Sequence, residues 1–264
     1  MKKFRVLLTG SSGRLGSVIR EDLADIWDIL PVSRTGVPGR IKCNFLFRKE
    51  RENLLKEDFD IVVNAAAVSS PSSCAENPVN CWILNTMLPL MLSEYCRSKG
   101  LPLVHFSTDL VYSGGNPPYS ESSTAVPVSF YGWTKLIADV LLQRAYFRTL
   151  IIRTSVLYGD TPSEKTTFSQ DLLSGKINTV YVDSWRNHTP IHWLAGILPG
   201  LVSTGESGLV IASGRYAQSR SAFAEALLER HGKSTDHLVH AYAPYGIPSK
   251  LYLNGRYHTS SVNL

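Results

Sequence analysis

At 264 residues, with 44% hydrophobic and 19% charged side chains, the chain can form one sizeable α/β core with a smaller lobe attached. Its 27 Lys and Arg outnumber 22 Asp and Glu, a net charge of +5, but the basic residues are scattered rather than gathered into a stripe or tail, which argues against nucleic acid as a partner. No apolar run approaches the ~20 residues that cross a bilayer, and residues 6–8 are too short for a secretion signal, so the expected setting is the cytoplasm, away from any membrane.

In chain order, residues 6–9, 29–33, 61–64, 103–107 and 150–153 are short aliphatic or β-branched runs bounded by turns, the pattern of strands buried on both faces. Helix-period segments lie between them at 14–23, 50–56, 78–97 and 129–146. This alternation predicts an α/β fold, a Rossmann-type doubly wound parallel sheet. Pro89, inside 78–97, predicts a kinked or split helix. Residues 112–127 are a long loop bearing Pro and Gly, of the kind that serves a site. Beyond residue 155 the alternation weakens: 161–167 is a polar loop, 191–202 and 219–230 are helical, and 209–212 is one more strand. Residues 1–154 are therefore expected to be the dinucleotide-binding domain. Residues 155–264 are the smaller C-terminal substrate lobe, with about 180–212 a candidate to return to the main sheet. Cys43, Cys74, Cys81 and Cys96 show neither CxxC nor zinc-finger spacing and are expected to be buried or idle thiols rather than a disulfide framework.

The first strand runs into Gly10-Ser11-Ser12-Gly13-Arg14-Leu15-Gly16, which opens a helix. Glycines there let the backbone turn tightly and approach a pyrophosphate, while the helix N-terminus offers free N–H groups and the positive end of a dipole. Three glycines alone are weak evidence; their place between a strand and a helix is what the mechanism demands. No acidic residue that would take the ribose hydroxyls of NAD occurs from 29 to 41. Ser33 and Arg34 end the second strand, and Arg14 sits in the glycine loop. A guanidinium grips a 2′-phosphate by paired hydrogen bonds, so NADPH is the expected cofactor, with NADH possible. The bland alternative is two solvated arginines.

Tyr131 and Lys135 are four apart at a helix start and share one face. A phenol titrates near ~10, and a neighbouring ammonium is expected to lower that value and make Tyr131 a better proton donor. Thr108, at the C-terminal edge of the fourth strand, stands where ligands bind in open α/β sheets and is expected to orient a substrate carbonyl toward Tyr131. The Tyr–Lys spacing alone is equally well explained by an ordinary amphipathic helix. In the substrate lobe, Trp185 and Arg186 offer a ring and a guanidinium for a base and a diphosphate, or simple packing for the former.

The cradle, Asn64-Ala65-Ala66-Ala67, Leu84-Asn85, 106–112, Asn116-Pro117-Pro118-Tyr119, Tyr131-Gly132-Trp133-Thr134-Lys135 and Ile152-Arg153-Thr154-Ser155 together resemble the extended short-chain dehydrogenase/reductases. Among these the chain is most similar to the dTDP-4-dehydrorhamnose reductases. The resemblance implies reduction of a keto group on a nucleotide-linked deoxy sugar, with Tyr131 as proton donor, Lys135 on the cofactor ribose and Thr108 on the carbonyl. It further implies that Ala65, Ala66, Ala67, Asn44, Asn85, Ser107, Arg153, Thr154 and Ser155 lie along the cofactor, and Ser69, Asp109 and Tyr112 along the substrate. A homodimer is a possible assembly. Val156 stands where relatives often have tryptophan, and the Ser-rich 68–74 stretch lacks the family's acid, so the sugar's identity stays open. The chain also resembles the regulatory subunit of methionine adenosyltransferase around 116–119 and 157–159, which makes a non-catalytic NADP-binding subunit the alternative.

Other signals are set aside. Gly232-Lys233-Ser234-Thr235 ends like a nucleotide-binding P-loop, but Leu227 occupies the place of its first glycine. His105, inside a strand, reads as a core histidine. No metal site is expected, since Pro190 interrupts the helix that would align His188 with His192.

Overall fold

Residues 4–9 alternate between two buried faces, and they form the first strand of the computed structural model, which describes residues 3–34, 39, 41–45, 47–54, 56–244 and 247–259. This strand, β1 (Phe4–Thr9), leads into α1 (Arg14–Asp22), β2 (Trp27–Ser33), β3 (Ile41–Lys42), α2 (Arg48–Leu54) and β4 (Ile61–Asn64). Then come α3 (Pro71–Glu76), α4 (Pro78–Trp82), a π-helical turn (Ile83–Met87) and α5 (Leu88–Lys99). β5 (Leu103–Thr108), α6 (Phe130–Ala145) and β6 (Thr149–Thr154) close the regular alternation. The remainder is shorter-grained: β7 (Leu157–Tyr158), α7 (Phe168–Leu173), β8 (Thr179–Tyr181), β9 (Trp185–Arg186), β10 (Thr189–Pro190), α8 (Ile191–Gly196), α9 (Leu198–Ser203) and β11 (Gly208–Ser213). Last are β12 (Gln218–Ser219), α10 (Arg220–Arg230), β13 (Val239–Ala241), β14 (Lys250–Leu251) and β15 (Tyr257–His258).

Eight strands make one sheet in the order β3-β2-β1-β4-β5-β6-β11-β15, and the neighbours run parallel throughout. Strand Gly208–Ser213 thus brings the later part of the chain back beside β6. Val6, Leu8, Ile61, Val63 and Val104 pack on one face with Val18, Ile19, Ile191 and Leu194. Leu7, Val62, Leu103 and Ile151 pack on the other with Leu88, Leu92 and Leu142. Each fully buried aliphatic side chain contributes about 1.5–3 kcal/mol of transfer free energy, so both faces hold the sheet between helices.

The expected break near Pro89 takes the form of the π-helical turn Ile83–Met87. Pro89 has no N–H to donate four residues back, and the ladder widens just before it. One expectation is corrected: Cys74 and Cys81 are joined in a disulfide, while Cys43 and Cys96 stay free and buried. α3 and α4 are separate helices capped by the side chains of Ser70 and Asn77, and the bend between them brings the two Cα atoms to 5.2 Å. Linear spacing does not reveal such a bend.

Candidate active site

The parallel sheet sends the C-terminal ends of β1, β4 and β5 to one edge, where the site is built. At Gly10, φ is +68°, and a Cβ there would press on the backbone of Ala65 and Ala66. A Cβ at Gly16 would run into the Gly10 carbonyl. Gly13 caps α1 without any side-chain hydrogen bond, and no acidic residue stands in the first turn. The N–H groups and the dipole of α1 are therefore unopposed, and the cradle fits a dinucleotide phosphate. Leu15 is buried beneath it.

The neighbouring 160s loop lies against this cradle. Ser163 Oγ donates to the Ser12 carbonyl (2.7 Å), and Arg14 Nε donates to the Thr166 carbonyl. One donor of Arg14, expected on a 2′-phosphate, is thus committed within the chain. At the end of β2, Ser33 is buried and Arg34 exposed. Asn44 is half-buried, and its N–H donates to the Glu50 carboxylate.

Ser129 caps α6, which buries both Tyr131 and Lys135. Thr108 stands beside the Tyr131 hydroxyl, and the Tyr131 ring packs on the Cys74–Cys81 bridge. Burial pushes the phenol up to about 12, outweighing the opposing influence of Thr108, and the Asp109 and Asp139 carboxylates push the same way as burial. This corrects the expectation that Lys135 lowers it. Lys135 Nζ instead donates to the Phe106 carbonyl (2.6 Å) and lies 3.2 Å from His105 Nε2. Burial brings the ammonium down to about 8. His105 Nδ1 meets Asn64 Nδ2 at 3.0 Å, and Asn64 Oδ1 accepts from Thr9 Oγ1 at 2.6 Å. A polar chain thus runs from the end of β1 to the lysine.

Several residues expected along the ligands hold the frame instead. Asp139 Oδ2 accepts from Ser107 Oγ and Arg153 Nε, both at 2.9 Å. Arg153 also donates to the Tyr112 hydroxyl, which donates to the Ser120 carbonyl. Tyr112 is fully buried and stacked on Tyr119, so its side chain does not reach an open pocket. Asn85 ties the Val68 backbone to Thr134 on α6. Ala65, Ala66 and Ala67 are half-buried and Ser69 is exposed.

On the lobe side, Asp109 accepts from Ser155 Oγ (2.6 Å) and Thr108 Oγ1 (3.3 Å) and lies 3.8 Å from Arg186 Nε. Burial raises this carboxyl, while the Arg186 and Arg220 guanidiniums oppose the rise. Arg186 spends its other nitrogens on the Trp185 and Pro248 carbonyls. Trp185 meets Tyr252 edge-on at 5.8 Å. Thr154 Oγ1 is buried without a partner. Sequence reasoning missed Asp139, one helical turn past Lys135, and Arg220, directly after the Ser219 cap of α10. The first was signalled by its i+4 spacing; the second had no local signal. Among the described residues no cluster of three His, Cys, Asp or Glu is placed to hold a metal, and no helix is long and apolar enough to cross a membrane.

Residues 4–251 match the model of a family described as the RmlD substrate binding domain. The chain is 29% identical over 159 residues to methionine adenosyltransferase 2 subunit beta of Xenopus laevis, covering 59% of this chain and 48% of that one. The chain thus spans about half the length of that curated relative. A probable low-salt glycan biosynthesis reductase of Haloferax volcanii is 28% identical over 236 residues, 84% of this chain and 78% of the relative. The crystal structure of dTDP-4-dehydrorhamnose reductase from Bacillus anthracis in complex with NADP superposes with a TM-score of 0.82 at 22% identity, covering 92% of this chain and 86% of that one. At that identity the likeness shows the fold.

Proposed function

The chain belongs to the RmlD substrate binding domain family, and on that footing we propose that it is a cytoplasmic oxidoreductase that uses NADPH, or NADH, to reduce a keto group on a nucleotide-linked deoxy sugar. One observation carries the reading: a phenol and a hydroxyl, Tyr131 and Thr108, stand together at the sheet edge that also bears the glycine cradle. A dinucleotide held by its phosphates at the glycine cradle would supply a hydride to the carbonyl carbon. Thr108 Oγ1 hydrogen-bonds the carbonyl oxygen, and Tyr131 gives that oxygen its proton, so that the ketone becomes an alcohol. Burial holds Tyr131 in the protonated form this role requires. Lys135, which ends the Thr9–Asn64–His105 chain, is assigned the return of that proton.

NADPH oxidation measured with a panel of nucleotide-linked 4-keto sugars tests the proposal. Consumption with at least one member is expected. The likeness to methionine adenosyltransferase 2 subunit beta supports a second reading, an NADP-binding regulatory subunit. Tight NADPH binding with no consumption across the panel would overturn the reductase in favour of that role. A thiol count on the native protein, two free or four, reports whether the Cys74–Cys81 bridge persists in the proposed compartment.

A further inference from the structure

Arg220 follows the Ser219 cap of α10, and its backbone N–H is held by the Ser184 carbonyl. Its guanidinium lies over the Phe168 ring, 5.2 Å from the centroid. Among the described residues the side chain makes no hydrogen bond, and its Nε is shut off from water. The residue as a whole is half-buried, and a cation–π contact, worth about 0.5–2 kcal/mol, is a weak partner for a guanidinium. Charge does not balance either. Arg186 and Arg220 both act on a single carboxylate, Asp109, and Arg186 already leans on it at 3.8 Å.

His188 is 6% exposed and stacked on Phe223 at 3.8 Å; among the described residues neither ring nitrogen has a well-formed hydrogen bond, although the Arg186 backbone favours its charged form. Burial and the two arginines hold it neutral, with a pKa of about 3. Ser184 Oγ is a further buried atom without a partner. The imidazole of His188 and the hydroxyl of Ser184 are thus gathered around Arg220, which shares Asp109 with Arg186. Buried polar groups in native proteins are normally satisfied, and a ligand that satisfies these must bring negative oxygens.

We propose that Arg220, with His188 beside it, forms a binding subsite for an anionic group of the substrate, a phosphate or a carboxylate. The proposal rests on the substrate-pocket reading above and names the charge of what binds there. A guanidinium, unlike an ammonium, can take two oxygens at once in its planar fork.

The test is equilibrium binding at saturating NADP, which keeps probes out of the glycine cradle. The probes are uridine diphosphate, inorganic pyrophosphate and glucuronate. At least one should bind the parent protein, and Arg220→Gln should weaken it about tenfold or more. Arg220→Lys, which keeps the charge but not the fork, should fall between, with NADP affinity and thermal midpoint reporting an intact fold. Loss confined to the diphosphates assigns the anion to a carrier nucleotide; loss confined to glucuronate assigns it to the sugar. Equal binding by the parent and Arg220→Gln, or no binding of any probe by the parent, would overturn the subsite. Turnover enters none of these measurements, so a failure of the reductase reading would be seen separately.

Discussion

Two arginine sites flank Tyr131, and they differ in how their charge is met. Below the sheet edge, Arg153 and Asp139 pair one to one at 2.9 Å, with Ser107 and Tyr112 taking up neighbouring donors and acceptors. On the lobe side, two guanidiniums share Asp109, and among the described residues the Arg220 side chain makes no hydrogen bond. The first arrangement pairs one cation with one anion, because an unpaired buried charge is far costlier than the pair, although Asp139 Oδ1 has no hydrogen-bond partner among the described residues. The second leaves two cations to one carboxylate. Tyr131 feels both carboxylates, so its environment is part frame and part pocket.

The largest expected effect falls on the residue between the two. Tyr131→Phe should lower turnover about 10²- to 10⁴-fold while NADPH affinity holds; turnover equal to the parent's would remove Tyr131 from the chemistry. Next is the frame itself. Asp139→Ala strands the Arg153 guanidinium and should cost about 3–5 kcal/mol in urea unfolding. A loss below 1 kcal/mol would break the contrast between the sites.

His188 separates them by pH. Its pKa is depressed from 6.5 to about 3, so its contribution is fully present above pH 6.5 and fades as pH falls toward 3. Between pH 7.5 and 5 the parent should lose about 2 kcal/mol relative to His188→Phe. Parallel stability curves would refute a neutral buried imidazole. The smallest effect is the most telling. Without ligand, Arg220→Met should change stability by no more than about 1 kcal/mol in either direction, since it removes a charge that nothing matches. A loss comparable with that of Asp139→Ala would show that Arg220, too, is part of the frame.

Much of this could be read from the chain. Runs such as 61–64 and 103–107 are apolar on both faces, and only a covered parallel sheet buries both. The cradle was legible because glycine's freedom is local: Gly10 needs its positive φ whatever surrounds it. Thr108 and Tyr131 were legible as motif residues. The direction of the Tyr131 pKa was misread, because spacing along a helix brings Lys135 onto the same face without telling where its amine points, and burial was the larger influence.

By itself, the sequence determined the strand–helix alternation, the glycine turn and the helix caps, because each depends on residues within a few positions of one another. Tertiary structure alone decided which charges meet. Cys74 finds Cys81 through a bend between two helices, Asp139 finds Arg153 across a helix–strand contact, and Arg220 finds Arg186 and Asp109 from three separate segments. Electrostatic energy depends on distance in space and on exclusion of water, and neither is written in the order of residues.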